Sequence, residues 1–436
     1  MTPVTLSNVP GPRLEVQGGG ILYCGRHART VKEVSMLTKR AAGSGQRTTA
    51  MVSLGNDGTG SARSESGSGR VRTFGIEEEL LLVDPGTGEA VPMAGALLDL
   101  YVRPMESSKG PVLTAEFQQE MIEVVSPPHS TMDALKADIV AGRAIADRAA
   151  RDVGVRAAAL GTSPLPCDPH PVQLRRFAAM AEEYGLTARE QLTCGCHIHV
   201  SVESAEEAVA VLDRIRIWLP VLTALSANSP FWHGEDTGYA SYRSQVWNRW
   251  PSAGPLEILG SPEVYHQLVH DMVSTGVALD EGMIYFDARL SRHYPTVEFR
   301  VPDVCLRPEN TVLLAGIARA LVDTAAREWR EGIEPLGVPS ALLRLAGWKA
   351  GRWGLRGELL DPYTSRPAPA LAVVNSLLIH IHEALEGSGD LARVERLVDD
   401  LLRAGTGGTR QLEVLHRTGD LRDVVQDAVD CTVGNS

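Results

Sequence analysis

The sequence has few of the features that mark a membrane protein, a secreted disulfide scaffold or a nucleic-acid-binding protein. It contains no uncharged apolar run of about 18 residues, the length that crosses a bilayer. Its six cysteines show no framework spacing, which is typical of reduced thiols. No charged-then-apolar pattern opens the chain, so we expect a cytoplasmic protein. The formal net charge of −12 argues against nucleic acid and anionic membranes as partners.

Two common nucleotide-binding motifs are also absent. The chain has neither a GxxxxGK[ST] phosphate loop nor a GxGxxG turn. Any nucleotide site would therefore depend on metal ions and arginine side chains for its contacts with the phosphates.

Composition divides the chain near residue 72. Residues 1–72 carry ten Lys or Arg against four Asp or Glu, whereas the remainder is acidic. Residues 41–70 contain almost no large apolar side chains and cannot bury enough surface to offset their ordering entropy. We expect a disordered, basic Gly/Ser/Arg-rich extension over residues 1–72 and one folded domain over residues 73–436. A transit peptide or an upstream start codon would each account for such a leader.

The stretch from Phe74 to Asp84 places three consecutive acids before a four-residue apolar run. As a strand with a two-residue period, it puts Glu77 and Glu79 on one face and Glu78 on the other. Like charges so close raise each other's pKa and destabilise the strand unless cations lie opposite them. This stretch alone leaves two alternatives open, a pair of acids that faces cations or arginines and a solvated edge strand, where acids discourage aggregation.

A second acid-rich stretch covers residues 114–126, where acids are mixed with β-forming residues. It predicts one or two short strands that carry Glu116 and Glu123. These two acids are an odd number of residues apart, so they share a face only if a turn or a bulge intervenes.

Residues 193–202 contain two cysteines and two histidines within six positions and end in β-branched residues that predict a strand. His197 and His199 point to the same side of such a strand. The composition suggests zinc, and a zinc hydrolase is one alternative function. We expect Cys194 and Cys196 to lie on that same face, and four ligands on one straight strand cannot close a tetrahedron. We therefore prefer a role for His197 beside the acids, with a packed histidine pair as the structural alternative.

Arginines accompany these residues farther along the chain. Residues 231–255 have little periodicity but contain Arg243 among several tryptophans, as is common in loops that bind a ligand or cover a site. Residues 296–303 predict a strand with Glu298 and Arg300 on one polar face. A packed surface loop and a solvated sheet face are the structural alternatives.

Carboxylates, a histidine and arginines on one face of a mostly antiparallel sheet indicate a particular chemistry. Hard oxygen ligands suit Mg²⁺ or Mn²⁺, and a carboxylate-lined metal pair with arginines nearby suits phosphoryl transfer from a nucleotide. Helical spacing predicts a helix over residues 131–154, which Ser130 or Thr131 can cap, and another over residues 205–227. After Pro308 the apolar spacing is mostly helical and includes a predicted helix over residues 410–430. The sequence therefore predicts an α+β fold.

These motifs occur in an order that resembles the type 2 glutamate–cysteine ligase family, the YbdK-like carboxylate–amine ligases. The resemblance runs from about Phe74 to near the C-terminus and includes GIEEE at 75–79, the acid-rich residues 116–126, CHIHV at 196–200, ASYR at 240–243 and TVEFRVPD at 296–303. It implies a glutamine-synthetase-like catalytic domain, in which a curved, mostly antiparallel sheet is flanked by helices. It also implies ATP-dependent activation of a γ-carboxylate as an acyl phosphate, which an amine then attacks.

The resemblance further implies roles for individual residues. The metal-site positions are Glu77, Glu79, Glu116, Glu123, His197 and Glu298. The catalytic residues are Glu298 and Arg300, of which Arg300 steadies the transferring phosphoryl group. The residues that contact substrate carboxylates or phosphates are Arg243, Arg289 and Arg352.

The sequence departs from the family pattern at two positions. Related ligases often have Asp where Glu116 stands, and similar sequences usually carry Asn where Gly347 stands. Both positions bear on which amine is accepted.

We therefore predict a cytoplasmic carboxylate–amine ligase that uses ATP and Mg²⁺ (or Mn²⁺) to form a γ-glutamyl amide from glutamate and cysteine. Its partners would be small-molecule amino acids, with no nucleic acid and no membrane. The sequence leaves the oligomeric state open, with a homodimer as one alternative. A catalytically silent protein of the same fold, which binds nucleotide or amino acid only, is the alternative from a different class.

Overall fold

The computed structural model describes residues 71–101 and 110–434. Of the disordered extension predicted over residues 1–72, residues 1–70 lie outside that range, and the predicted boundary is wrong at Arg72, which is buried. Arg72 is the first large buried side chain of the described chain. Its guanidinium lies 2.6 Å from a carboxylate oxygen of Glu207 and 2.7 Å from one of Asp323. Arg72 therefore belongs to the packed domain.

One antiparallel sheet of seven strands forms the centre of the domain, in the spatial order β2-β3-β1-β5-β9-β8, with β4 paired to the second half of β1. Its strands are β1 (Phe74–Val83), β2 (Val112–Ala115), β3 (Met121–Val125), β4 (Arg156–Ala158), β5 (Cys196–Ser201), β8 (Ala288–Leu290) and β9 (Thr296–Phe299). Two separate two-stranded sheets are formed by β6 (Phe231–Trp232) with β7 (Glu235–Asp236) and by β10 (Glu358–Leu360) with β11 (Pro367–Pro369).

Helices follow and separate these strands. Those before β8 are α1 (Ala94–Leu100), α2 (Met132–Asp152), α3 (Arg175–Tyr184), α4 (Leu186–Arg189), α5 (Ala205–Ile215), α6 (Leu219–Ser226), α7 (Arg243–Trp247) and α8 (Pro262–Ser274). Those after β9 are α9 (Pro308–Arg330), α10 (Ser340–Trp353), α11 (Ala370–Ser388), α12 (Leu391–Ala404), α13 (Gly407–Thr418) and α14 (Leu421–Thr432). No helix within residues 71–101 and 110–434 has the length and apolar character needed to cross a membrane.

The alternation predicted for β1 is confirmed. Ile76 and Leu80 are buried among the apolar residues of the core, and Glu78 is buried on the same face. Arg143 of α2 reaches Glu78 with two nitrogens, at 2.9 and 2.7 Å, and the Thr311 hydroxyl donates to the same carboxylate at 2.7 Å. The helical side of the sheet therefore holds a buried acid that is fully paired.

Several other predicted elements are confirmed. Two segments that were each predicted as one helix form two helices. The acid-rich stretch forms β2 and β3 with a turn between them, and the Thr131 hydroxyl caps α2 by accepting from the Ala134 N–H. The helix predicted over residues 205–227 is two helices, because Pro220 begins a new one at α6. The helix predicted over residues 410–430 also breaks, since Gly419 adopts a left-handed conformation with φ 75°.

Candidate active site

The polar face of the sheet brings together all the residues predicted as metal ligands. Three groups have one ligand atom from each member within 4.8 Å of the others: Glu77, Glu123 and His197; Glu77, His199 and Glu298; and Glu79, Glu116 and Glu123. The groups overlap, so they form one continuous cluster. His199 joins it, although only His197 was proposed as a ligand from the sequence.

Strand register produces this cluster. The pairs that face each other across neighbouring strands are Glu77 with His197, Glu79 with Glu123 and His199 with Glu298. Directly opposed residues of an antiparallel pair project to the same face, with Cβ atoms about 5 Å apart. Glu116 follows β2, and the turn before β3 lets it share a face with Glu123, as the spacing required.

Both histidines direct a ring nitrogen toward the carboxylates of this cluster. His197 Nδ1 lies 3.2 Å from Glu77, and His199 Nδ1 lies 2.9 Å from the Thr296 hydroxyl. Nε2 of each ring is buried and forms no hydrogen bond of good geometry, but it lies close to a carboxylate oxygen, at 3.8 Å from Glu79 for His197 and at 3.4 Å from Glu77 for His199. A nitrogen held in this way beside carboxylate oxygens is suited to bind a metal ion together with them.

Arginines surround Glu298. Arg289 contacts its two carboxylate oxygens at 2.8 and 3.2 Å, and Arg300 also contacts it. Burial alone would raise the pKa of Glu298, but Arg300 and Arg289 lower it to about 2. Burial lowers the pKa of Arg300, but the charges of Glu298 and Glu79 outweigh this effect and raise it. Both partners therefore stay charged.

The other acids of the cluster carry more negative charge than the positively charged side chains around them neutralise. Burial, and then the neighbouring Glu79, raise the pKa of Glu116 to about 7. Burial, and then the charge of Glu77, raise the pKa of Glu123 well above its ordinary range. The pKa of Glu77 is lowered instead, because hydrogen bonds from His197 and His199 outweigh the effect of its burial. Oxygen-rich donors with excess negative charge fit divalent cations such as Mg²⁺ or Mn²⁺.

The expected position of the cysteines was wrong. Side chains alternate along a strand, so Cys196 points away from His197 and packs in the core beside Ile198. Burial raises the pKa of the Cys194 and Cys196 thiols well above their usual range. Neither thiol belongs to the ligand groups found among the described residues, so the site lacks the sulfur ligands of a Cys–His zinc centre.

A cavity of about 220 Å³ opens onto the cluster, and we call it the catalytic cavity. Its polar lining includes Glu77, Glu79, Glu116, Glu123, His197, Gln191, Arg176, Arg289 and Arg300, and its aromatic lining is Phe117, Phe177, Trp247, Trp250 and Tyr285. Five buried polar atoms in this lining have no hydrogen-bond partner: Trp247 Nε1, Trp250 Nε1, Arg300 Nε, Gln191 Oε1 and His197 Nε2. Unpaired donors and an unpaired acceptor in one cavity suit a ligand that carries both kinds of group.

A second cavity of about 480 Å³ lies along the same sheet face, beyond Glu77 and His199. We call it the strand-end cavity, and apolar residues such as Val125, Pro127 and Pro295 form much of its wall. The carboxylate cluster therefore has an apolar space on one side and a polar, aromatic space on the other.

Two arginines proposed as substrate contacts lie outside the lining of the catalytic cavity. Arg243 is buried and donates to the backbone oxygens of Val301 and Arg300, both at 3.3 Å. Arg352 lies against the rings of Tyr239 and Trp353, with its central carbon 5.3 and 4.4 Å from the ring centres. Arg289 does line the cavity, where it holds Glu298.

The sequence did not single out several residues of this site. Gln191 and Phe117 carry no local pattern that marks a ligand contact, whereas Trp250 belongs to the tryptophan-containing loop 231–255 that the sequence indicated. His199 did carry a signal, because its two-residue separation from His197 placed it on the same face of the strand.

Comparison with known proteins places this arrangement in a family. The family model described as glutamate–cysteine ligase family 2 matches residues 73–427. The chain belongs to this family. A Streptomyces coelicolor protein with the provisional name glutamate–cysteine ligase 2 is 55% identical over 359 residues, which cover 82% of this chain and 98% of that protein. A Paenarthrobacter aurescens protein with the provisional name glutamate–cysteine ligase 2-1 is 53% identical, over 83% of this chain and 95% of its own length.

Solved structures share the fold at low sequence identity. A bifunctional glutathione synthetase from Pasteurella multocida has a TM-score of 0.63 at 15% identity, over 84% of this chain and 52% of that one. A glutamate–cysteine ligase from Francisella tularensis, solved in complex with AMP, has a TM-score of 0.61 at 14% identity, over 84% and 89%. The predicted glutamine-synthetase-like α+β fold and membership in the glutamate–cysteine ligase family are thus confirmed. The protein is an ATP-dependent carboxylate–amine ligase.

Proposed function

We propose that this ligase joins the γ-carboxylate of glutamate to the amine of cysteine through an acyl phosphate. A γ-carboxylate oxygen attacks the γ-phosphorus of ATP and ADP leaves. The amine nitrogen then attacks the activated carbonyl carbon, phosphate leaves, and the nitrogen loses its proton. The observation that carries the proposal is a continuous carboxylate–histidine cluster with Arg300 beside it in one cavity.

The cluster would hold the metal ions that such a reaction uses. The residues that fit as ligands are Glu77, Glu79, Glu116, Glu123, His197, His199 and Glu298. When bound there, divalent cations would neutralise the phosphates of ATP and the charge that develops on the transferred group. Excess negative charge supports this assignment, as do two imidazole nitrogens that lie 3.8 and 3.4 Å from cluster carboxylates without a well-formed hydrogen bond.

The two cavities suggest where each substrate lies. The apolar strand-end cavity fits a nucleotide base, whose triphosphate would extend past Glu77 toward the cluster. The catalytic cavity fits the amino acids, because the Trp250 N–H can donate to a carboxylate and Gln191 Oε1 can accept from an ammonium group. Arg300 lies beside Glu298, where it can donate to oxygens of the transferring phosphoryl group.

Residues around the cluster fix these positions. Arg289 holds Glu298 through two hydrogen bonds, which keeps that carboxylate in one orientation and ionised. The rings of Trp247 and Tyr285 lie 5.4 and 5.9 Å from the Arg300 guanidinium. This packing limits the rotation of Arg300 and reduces its hydration, and a fixed donor in a poorly hydrated site stabilises developing charge most effectively.

The first experiment is an ADP-release screen. Purified protein is supplied with Mg²⁺, ATP and a panel of acids and amines, and we expect ADP release that needs both glutamate and cysteine. A γ-glutamyl amide should appear in equal amount by mass spectrometry. ATP binding without ADP release on any pair would instead identify the catalytically silent alternative. ADP release with a different acid or amine would overturn the assignment of glutamate and cysteine as substrates, but the protein would still be a ligase.

The second experiment tests the roles of Arg300 and Glu298. Arg300→Lys keeps the charge but loses the planar donor group, so kcat should fall by roughly a hundredfold while ATP affinity changes little. Glu298→Gln should instead weaken metal-dependent ATP binding. The control is Arg422→Lys, at an exposed ion pair on α14, which should change neither quantity. If Arg300→Lys weakens ATP binding and leaves kcat unchanged, Arg300 is a ground-state anchor.

A further inference from the structure

A third cavity, of about 220 Å³, lies behind Trp247 between α7 and α10, and we call it the rear cavity. Its lining includes Arg243, Trp247, Asp287, Arg344, Gly347 and Trp348. Of these residues, only Trp247 also lines the catalytic cavity. The rear cavity is therefore a separate space that shares one wall with the site of the reaction.

Asp287 is the unusual residue of the rear cavity. Its carboxylate accepts no hydrogen bond and forms no ion pair within the described part of the chain. Burial raises its pKa to about 7, and the charge of Arg344 only partly opposes this effect. The residue is half-buried, and a carboxylate shielded from bulk water without a hydrogen-bond donor destabilises the folded state, because hydrogen bonds normally offset lost hydration. The open space beside it can supply that missing partner.

Arg344 provides the opposite charge at the mouth of the rear cavity. It projects from the exposed side of α10 and lies over the backbone of Gly254, where a Cβ would stand 2.7 Å from its Nη2. Within the described residues its guanidinium also has no hydrogen bond or ion pair. Arg344 and Asp287 are too far apart to pair with each other, so a positive and a negative group face one space unpaired.

We propose that the rear cavity binds a free α-amino acid as its zwitterion, outside the site of the ligase reaction. The ammonium group would lie on Asp287 and the carboxylate on Arg344. A ligand with a single charge would leave one of these two groups unmatched, whereas a zwitterion pairs both. The indole of Trp348 lies beside this space and offers an apolar surface to the side chain of the amino acid.

Gly347 leaves room for that ligand. A Cβ built at this glycine meets no atom within 4 Å, so the backbone tolerates a side chain there, and the side chain would enter the cavity. Gly387 near the end of α11 also has no atom within 4 Å of a Cβ, but it does not line the rear cavity. A large side chain at Gly347 would therefore fill the rear cavity, and the same side chain at Gly387 is the matched control.

A ligand in the rear cavity would affect the catalytic cavity, which lies on the other side of Trp247. The guanidinium carbons of Arg243 and Arg300 lie 5.5 and 5.4 Å from the Trp247 ring. The backbone of Asp287 also accepts a hydrogen bond from the Arg300 N–H at 3.0 Å. A ligand held by Asp287 therefore contacts the same segment that positions Arg300.

The test measures binding in the absence of ATP and Mg²⁺, so it does not depend on ligase activity. Each of the twenty common L-amino acids is screened against the full chain by saturation-transfer NMR, and binders are titrated by calorimetry. We expect at least one binder whose affinity falls by about tenfold or more in Asp287→Asn, the scale of one lost charged partner. Gly347→Leu should abolish binding, and Gly387→Leu should leave it unchanged.

A second measurement separates the two charges. The decarboxylated amine of the best binder should still depend on Asp287 but should bind wild type and Arg344→Met equally. The proposal is overturned if no amino acid binds, or if every binder keeps its affinity in both Asp287→Asn and Gly347→Leu, which would place binding in the catalytic cavity. Circular dichroism and melting curves confirm that each variant is folded before binding is compared.

Discussion

Glu78 and Glu123 lie on neighbouring strands and should respond in opposite ways to the same substitution. Glu78 and its partner Arg143 have side chains that are 1% and 0% exposed. In Glu78→Gln the side chain keeps its volume and one acceptor, but Arg143 is left as a buried charge without an anion. Glu123 is surrounded by other acids, and no hydrogen bond or ion pair to its side chain is formed within the described residues. Glu123→Gln therefore removes repulsion.

The magnitude follows from the surroundings of Arg143. Removing one partner of a buried ion pair costs about 3–5 kcal/mol. Two backbone oxygens, of Leu306 and Cys305, still accept from Arg143 at 2.9 and 2.6 Å, so we expect the lower value of about 3 kcal/mol. A unit of this size unfolds with an entropy of about 0.8 kcal/mol per degree, so Tm should fall by about 4 °C.

The assay is thermal unfolding of metal-free protein at pH 8, followed by circular dichroism. Glu78→Gln should lower Tm, whereas Glu123→Gln should leave it equal or higher because a like-charge interaction is removed. Added Mg²⁺ should raise Tm of wild type and of Glu78→Gln more than that of Glu123→Gln. If Glu78→Gln has the same Tm as wild type, the buried pair does not stabilise the fold. If the Tm of Glu123→Gln falls as much as that of Glu78→Gln, the cluster does not carry excess negative charge.

Three further predictions concern pH and the start of the domain. Glu116 has its pKa raised from 4.5 to about 7 in the folded protein, so its stabilising effect is complete below pH 4.5 and is lost as pH rises through 7. Metal-free protein should lose up to about 3 kcal/mol from this group between pH 5 and pH 8, and pH-dependent denaturation of Glu116→Gln should show a smaller loss. Removing residues 1–69 should leave Tm unchanged, whereas Arg72→Ala should lower stability by about 2–4 kcal/mol because it leaves Glu207 buried with Arg330 as its remaining partner. Equal melting curves for Arg72→Ala and wild type would contradict this.

Local pattern was enough to predict the face on which each acid lies. The alternation along β1 separated Glu77 from Glu78, and the odd spacing between Glu116 and Glu123 required the turn that the structure has. Such inferences succeed because the direction of a side chain depends on its own strand. The resemblance to known ligases then predicted which of these acids share a site, and the structure has them in one cluster.

Contacts between distant segments could not be predicted in this way. Arg143 lies 65 positions from Glu78, and nothing in either local pattern indicates that they pair. The helix over residues 205–227 was predicted as continuous because its apolar spacing continues past Pro220, whereas the missing N–H of that proline favours a new first turn. The sequence thus placed Glu77 and Glu78 on opposite faces, but the fold alone shows that Glu78 is paired with Arg143 and that Glu77 lines a cavity.

Arg243 shows how a residue outside the catalytic cavity can still determine its shape. The Gly195 N–H donates to the carboxylate of Glu79, and a Cβ at Gly195 would stand 2.2 Å from Arg243 Nη2. The absence of a side chain at Gly195 thus lets the guanidinium lie against the backbone that holds Glu79. Because Arg243 also donates to the backbone oxygen of Arg300, it supports both sides of the cluster without lining the cavity. Arg243 positions the backbone at Gly195 and at Arg300. Arg243→Lys should therefore alter the geometry of Glu79 and of Arg300 together.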